Sequence, residues 1–227
     1  MSIASNLKAV QDRIAEACTL AGRDPGEVKL IAVSKTHPAS FVDEAFDAGQ
    51  LHFGENRVQE MVAKASEANP GVHWHMIGTM QTNKIRLMAP FVEWIHSVPS
   101  ISALDEINKR ALQHNRTINV LIQVNISDEE QKSGCEPDEL IALLKHASTL
   151  PGLVVHGLMG MASLVDDPET VRPQFALLRS LRDSHKHLET SNVFMQELSM
   201  GMSHDMDSAI KEGATMVRVG TAIFGAR

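Results

Sequence analysis

Lys35 stands where an apolar run stops and a helix is about to begin, in the stretch IAVSKTHPAS at residues 31–40. A lysine there either points into water or points over the end of a sheet, where a ligand would sit. A desolvated lysine beside another cation supplies a neutral amine, a nucleophile for an aldehyde. Much later in the chain, Gly201, Ser203, Gly220 and Thr221 bring small side chains and hydroxyls together. Glycine lets the backbone approach phosphate oxygens closely, and hydroxyls add donors. Tight turns at Gly220 and Gly225 are the plainer reading. Arg218 lies among Met216, Val217 and Val219, and a charged residue in such a run needs a partner, either an ion pair or a ligand. His73 and His75 flank Trp74 and share one strand face. With no carboxylate or third histidine near them, they read as a polar lining rather than a metal site. Asn56 and Arg57 either cap a helix or point inward. Lys132, in SDEEQKSGC, reads as a loop lysine, and Met200, Met202 and Met206 as packing.

The elements that must position these residues alternate regularly. Strands are predicted at 28–34, 51–54, 73–77, 93–97, 118–125, 153–159, 196–199 and 216–219. Helices are predicted at 38–48, 56–68, 81–89, 100–115, 137–148, 168–188 and 204–212, with an amphipathic helix leading in at 2–21. Pro38 suits a first helical turn, Ser100 an N-cap, and Gly49 and Gly213 left-handed helix stops. Strand and helix in such alternation imply a parallel α/β sheet, and eight repeats imply a closed (β/α)8 TIM barrel in one domain, residues 1–227. The rival is an open doubly wound sheet, but no GxGxxG loop follows the first strand. In a barrel, SKTH, FGEN, HWHMIG, HSVPS, QVNIS, GLMGMAS, LSMGMS and VRVGT all fall at strand ends, on the face where barrel sites lie.

Composition narrows the partners. The chain has 227 residues and a formal net charge of −7. Such a balance lacks the basic footprint that nucleic acid or an anionic membrane demands. Any phosphate must therefore be held locally. Cys18 and Cys135 form no CxxC pair and fit a reducing cytoplasm. The N-terminal stretch carries Lys8, Asp12, Arg13 and Glu16, so it reads as a helix and not as a signal peptide. A ligand that joins an aldehyde to a phosphate would use Lys35, the glycine-hydroxyl loops and Arg218 at once. Pyridoxal 5′-phosphate (PLP) is such a ligand, and an arginine beside its ring nitrogen is a tuning device. A phosphosugar-binding barrel with Lys35 in water is the alternative.

The stretches IAVSKTHP, FGENRVQE, WHMIGTMQTNK, LIQVNISDEEQKSGC, GLMGM and LSMGMSHDMDSAIKEGATMVRVGTAIFGAR run nearly end to end. In them the chain resembles the pyridoxal phosphate homeostasis protein family, single-domain relatives of alanine racemase with the fold-type III barrel. The resemblance implies a Schiff base of PLP on Lys35. It places Ser199, Gly201, Ser203, Gly220 and Thr221 around the phosphate, Arg218 near the pyridine nitrogen, and Asn56 and His75 along the cofactor site. It departs at Pro99, where relatives often carry an aspartate. Alanine racemases add a C-terminal β domain and a tyrosine as second base across a dimer, whereas this chain stops at IFGAR and contains no tyrosine. Two-base racemisation needs a proton donor on the opposite face of the substrate. The expectation is therefore a monomeric, cytoplasmic, non-catalytic protein that buffers or delivers PLP, with apo PLP-dependent enzymes as transient recipients. A weak PLP-dependent amino-acid racemase is the alternative.

Overall fold

The computed structural model describes residues 2–127, 133–165 and 167–225, so Lys132 lies outside the described residues. Eight parallel strands, β1 (Lys29–Val33), β2 (His52–Glu55), β3 (His73–Met76), β4 (Trp94–Val98), β5 (Ile118–Gln123), β6 (Leu153–Met159), β7 (Val193–Met202) and β8 (Met216–Val219), close in chain order into a barrel. Closure is made by β1 on β8, with Ile31 opposite Arg218. The open-sheet alternative is therefore excluded. The strands are short and nearly all buried because helices cover their outer face while their inner face fills the barrel.

Helix α1 (Ile3–Leu20) precedes the first strand and is capped by Ser2, whose side chain accepts from the Ser5 N–H. Its buried residues Ile3, Leu7, Val10, Ile14 and Ala17 recur at helical spacing and form its core stripe. The repeats then supply α2 (Ala39–Asp47), α3 (Val58–Ala65), α4 (Ile85–Met88), α5 (Ile101–Gln113), α6 (Leu140–Ala147), α7 (Arg172–Ser184) and α8 (Met206–Lys211), with a last turn α9 (Thr221–Phe224). Gly49 and Gly213 follow α2 and α8 at φ +96° and +91°, the left-handed stops their positions require. Ser100 caps α5 by accepting from the Ala103 N–H. None of the described helices is long and apolar enough to cross a membrane.

Besides a 3-10 turn at Pro137–Glu139 ahead of α6 and the unpredicted turn α9, three elements depart from expectation. The helix predicted at 168–188 is interrupted: 3-10 turns at Pro168–Val171 and Lys186–Leu188 flank α7, and Pro173 sits in its first turn. The 81–89 segment is a 3-10 turn, Thr82–Lys84, followed by only four helical residues. Strand β7 is ten residues long and continues through Met202, three residues beyond the predicted end at 199. That extension alters the depth at which its side chains lie.

Two apolar clusters result. The larger fills the layer between strands and helices, and the smaller, Ile31, Trp94, Leu121, Met159 and Met216, belongs to the inside of the barrel. Residues in register on parallel strands share a face. Ile31 therefore shares the barrel interior with Arg218, and His75 with Trp94, whose rings stack 5.9 Å apart. This interior is polar to a degree that apolar periodicity alone does not announce.

Candidate functional site

A cavity of about 460 Å³ opens at the end of the barrel where the strands finish. It is lined by Lys35 and Thr36 after β1, Asn56 after β2, Ile77 and Gly78 after β3, and Gln123 at the end of β5. Met202 and Ser203 close β7, and Arg218, Gly220 and Thr221 come from β8 and its loop. Of the residues singled out in the sequence, Lys35, Asn56, Ser203, Arg218, Gly220 and Thr221 meet here. His75, Ser199 and Gly201 do not line the cavity. His75 and Ser199 are completely buried inside the barrel, deeper than the mouth. The reason is the strand lengths: Ile77 lies two residues above His75, and Met202 and Ser203 lie above Ser199, so those positions form the rim. Gly201 has φ +91°, and a Cβ on it would lie 2.6 Å from Ala209 Cβ, so its role is to let the β7 loop pass close over α8.

Lys35 is half-buried, and its side chain has no hydrogen-bond or ion-pair partner among the described residues. Its neighbours are held tightly. Lys64, buried on α3, donates from Nζ to Ser34 O at 2.7 Å, Glu55 Oε1 at 2.6 Å and Glu60 Oε1 at 2.7 Å, using all three ammonium donors. Ser34 Oγ donates to the same Glu55 oxygen at 2.6 Å, and the Thr36 N–H donates to Glu60 Oε1. Thr36 has φ +67°, a left-handed conformation unusual for a β-branched residue. The residues on both sides of Lys35 are thus tied to one buried ionic cluster. Burial raises the pKa of Glu55, against the lowering by Lys64 and Ser34. Glu60 is held below its ordinary value: burial raises it, but the hydrogen bonds from Lys64 and Thr36 prevail.

Arg218 is buried, donates from Nη1 to Ser199 Oγ at 2.7 Å and from Nη2 to Gly160 O at 3.1 Å, and has no carboxylate in ion-pair contact among the described residues. Burial lowers its pKa to about 10, against a raising field from Asp205. At pH 7 it remains a cation with donors to spare at the cavity wall.

The leading helix supports the rim. Arg13 donates to Ser203 O at 2.8 Å and pairs with Asp207, while Asn6 donates to Ile223 O at 2.9 Å. So α1 ties down both loops that carry Ser203 and Thr221. A Cβ on Gly220 would lie 3.0 Å from Val33 O, and one on Gly78 only 2.4 Å from Asn56 O. At Gly78 the backbone leaves no room for a larger residue, and at Gly220 the fit is tight. Gly78 lies in the HWHMIG strand end, where its position was the available signal. The Lys64 cluster gave only the i,i+4 spacing of Glu60 and Lys64, because Ser34 and Glu55 reach it from two strand ends.

Chemically, the cavity combines an unpaired amine, a guanidinium, hydroxyls of Ser203 and Thr221, and glycine backbone. Among the described residues no group of three histidine, cysteine or carboxylate side chains is arranged to hold a metal. The donor set suits an anionic ligand with an electrophilic carbon.

The family model of the alanine racemase N-terminal domain matches residues 5–227. The pyridoxal phosphate homeostasis protein of Escherichia coli K12 is 45% identical over 229 residues, covering 99% of this chain and 97% of that protein. Among solved structures, PipY of Synechococcus elongatus with PLP bound superposes with a TM-score of 0.81 at 38% identity, covering 93% of this chain and 100% of that one. An alanine racemase from Streptomyces lavendulae matches at TM-score 0.77 and 18% identity, covering 99% of this chain but 57% of the racemase, a likeness of fold. The chain belongs to the alanine racemase N-terminal domain family, among the pyridoxal phosphate homeostasis proteins.

Proposed function

We propose that this protein binds PLP in the cavity at the barrel mouth and serves its homeostasis in the cytoplasm, buffering or delivering the cofactor without efficient catalysis of its own. The observation that carries this reading is the pair of cations, Lys35 and Arg218, facing one cavity with no carboxylate paired to either among the described residues. The E. coli relative's name and the PLP bound to PipY support the same ligand.

PLP supplies an aldehyde that an amine can capture and a conjugated ring that can accept electrons. Lys35 is the nucleophile for that aldehyde, presented by a turn that the Lys64 cluster keeps from relaxing. Ser203, Gly220 and Thr221 form the phosphate side, with Gly201 shaping the loop that carries Ser203. Arg218 addresses the ring nitrogen, and Asn56 lines the cavity wall. His75 and Ser199 act from behind Arg218 rather than against the ligand.

An arginine beside the ring nitrogen would keep that nitrogen unprotonated and weaken the electron sink that transamination needs. The chain has no tyrosine to serve as an opposed acid. The first point counts against transamination and the second against two-base racemisation; together they favour a carrier, and a monomer that exchanges PLP with apo-enzymes through an open mouth.

The test is a visible spectrum of purified protein with PLP, then borohydride reduction and peptide mass mapping. A yellow band with the reduced pyridoxyl group on Lys35 is expected. An adduct scattered over surface lysines, or no band, refutes the site. Sustained α-deuterium exchange into amino acids would replace the carrier reading by the racemase.

A further inference from the structure

One line of hydrogen bonds crosses the barrel interior to Arg218. His52 Nδ1 lies 3.0 Å from His75 Nε2, His75 Nδ1 lies 2.8 Å from His96 Nε2, and His96 Nδ1 lies 2.8 Å from Ser199 Oγ. Arg218 Nη1 lies 2.7 Å from the same Ser199 oxygen. Each contact between ring nitrogens leaves the proton position open when taken singly. Taken together they fix it.

Arg218 can only donate. Ser199 Oγ therefore accepts from it, and the hydroxyl proton needs an acceptor of its own, because Ser199 is completely buried and an unmade bond there is costly. His96 Nδ1 is the other partner of that oxygen among the described residues. Ser199 thus donates to His96 Nδ1, and the proton of a neutral His96 sits on Nε2. That Nε2–H donates to His75 Nδ1, and His75 in turn donates from Nε2 to His52 Nδ1. The reverse polarity would leave the Ser199 proton buried without an acceptor. Burial lowers the pKa of His75 and His96 well below the ordinary value, so the rings stay neutral.

In this arrangement the hydroxyl and every imidazole turn a lone pair toward Arg218 and a proton away from it. Aligned hydrogen-bond dipoles polarise one another. A buried arginine normally has a carboxylate partner, and this one has none in contact among the described residues. We propose that the His52–His75–His96–Ser199 chain takes the place of that carboxylate: three neutral imidazoles, each protonated on Nε2, act through Ser199 as positioning residues that hold the Arg218 guanidinium charged and aimed into the cavity. The chain ends at the opposite mouth of the barrel, where His52 lines an open recess of about 440 Å³ with Lys29 and Gln50. What the device does for PLP rests on the function proposed above, but its polarity does not.

The polarity is read from the protein labelled with ¹⁵N in histidine and arginine, without added PLP, by long-range ¹H–¹⁵N correlation at pH 7. His52, His75 and His96 are assigned through single His→Gln variants. Three neutral rings protonated on Nε2 are expected. A ring of His75 or His96 protonated on Nδ1, or doubly protonated, overturns the proposal. In Ser199→Ala the His96 tautomers should mix, and the Arg218 Nη atoms should rotate on the order of tenfold faster, as expected when one bond to a charged group is lost. Ser199→Thr should restore both. Unchanged tautomers and rotation in Ser199→Ala would overturn the proposal even if the wild-type polarity is as expected. His156→Gln, a barrel histidine bonded to Asn119 and outside the chain, is the control. Should PLP fail to bind while the tautomers and rotation behave as expected, the function proposed above falls and the chain stands.

Discussion

Lys35 and Arg218 line the same cavity, yet what stands behind each differs. Behind Lys35 lies a charged cluster, in which Lys64 is buried between two carboxylates; Lys64 holds the Ser34 carbonyl on one side of Lys35 and Glu60 the Thr36 N–H on the other. Behind Arg218 no formal charge is in contact among the described residues, only a hydroxyl, a carbonyl and a file of neutral imidazoles. The two solutions suit two tasks. A turn held at positive φ, as at Thr36, needs strong local restraint. A guanidinium that must keep its charge available to a ligand is served better by dipoles than by a carboxylate, which would neutralise it. The solutions also fail differently: removing one member of a buried ionic cluster strands its partners, whereas removing Arg218 removes the buried charge itself.

The sharpest way to break this comparison is at Lys35. Lys35→Ala should abolish the visible band with PLP and the borohydride adduct, while the urea midpoint stays within about 0.5 kcal/mol of wild type in stability, since a half-exposed side chain without partners is lost. Lys64→Met comes next. It leaves Glu55 and Glu60 without their cation, and a loss of about 3–5 kcal/mol in urea unfolding is expected, with slower PLP capture at an intact Lys35. Arg218→Met should cost only about 1–2 kcal/mol, because the loss of two hydrogen bonds is offset by relief of a buried charge. Equal losses in these two variants would erase the distinction between the charged and the uncharged side.

Acidification tests the uncharged side further. Burial, reinforced by Lys29 and His73, lowers the His52 pKa to about 4, and burial lowers His75 and His96 well below their ordinary value. Between pH 6.5 and about 4 the unfolded chain therefore binds protons that the folded chain refuses. Stability should fall as pH drops through that window. Urea midpoints at pH 7, 6 and 5 measure the slope, and His52→Gln should flatten it. The smallest effect belongs to Thr36→Gly. Relief of the positive φ and the added freedom of the unfolded glycine nearly cancel, so a change within about 1 kcal/mol is expected in the same assay.

How far these features could be read in advance varies from residue to residue. The strand ends other than that of β7 were legible to within two residues because alternation of apolar runs and helical patterns is a local property, and a barrel collects whatever follows each strand on one face. Lys35, Ser203, Arg218, Gly220 and Thr221 came from that rule and Asn56 from the resemblance, and they meet at the cavity. His75 and Ser199 were taken for cavity residues on the strength of resemblance. The inner face of the strand holds for His75, but the depth does not, because depth depends on how far each strand runs before its loop departs. Strand β7 runs through Met202, and nothing local in LSMGMS marks that end.

By itself, then, the sequence determined the order of elements and the supply of an amine, an arginine, hydroxyls and glycines to the strand ends. All of these follow from periodicity and turn chemistry within a few residues. Only the tertiary structure decided what supports them. Lys64 reaches Ser34 across 30 residues, and His96 reaches Ser199 across 103. A histidine in a strand is the same letter whether it faces a helix, a ligand or another histidine. Which of these it meets is set by the register of eight strands at once, and that register exists only when the barrel is closed.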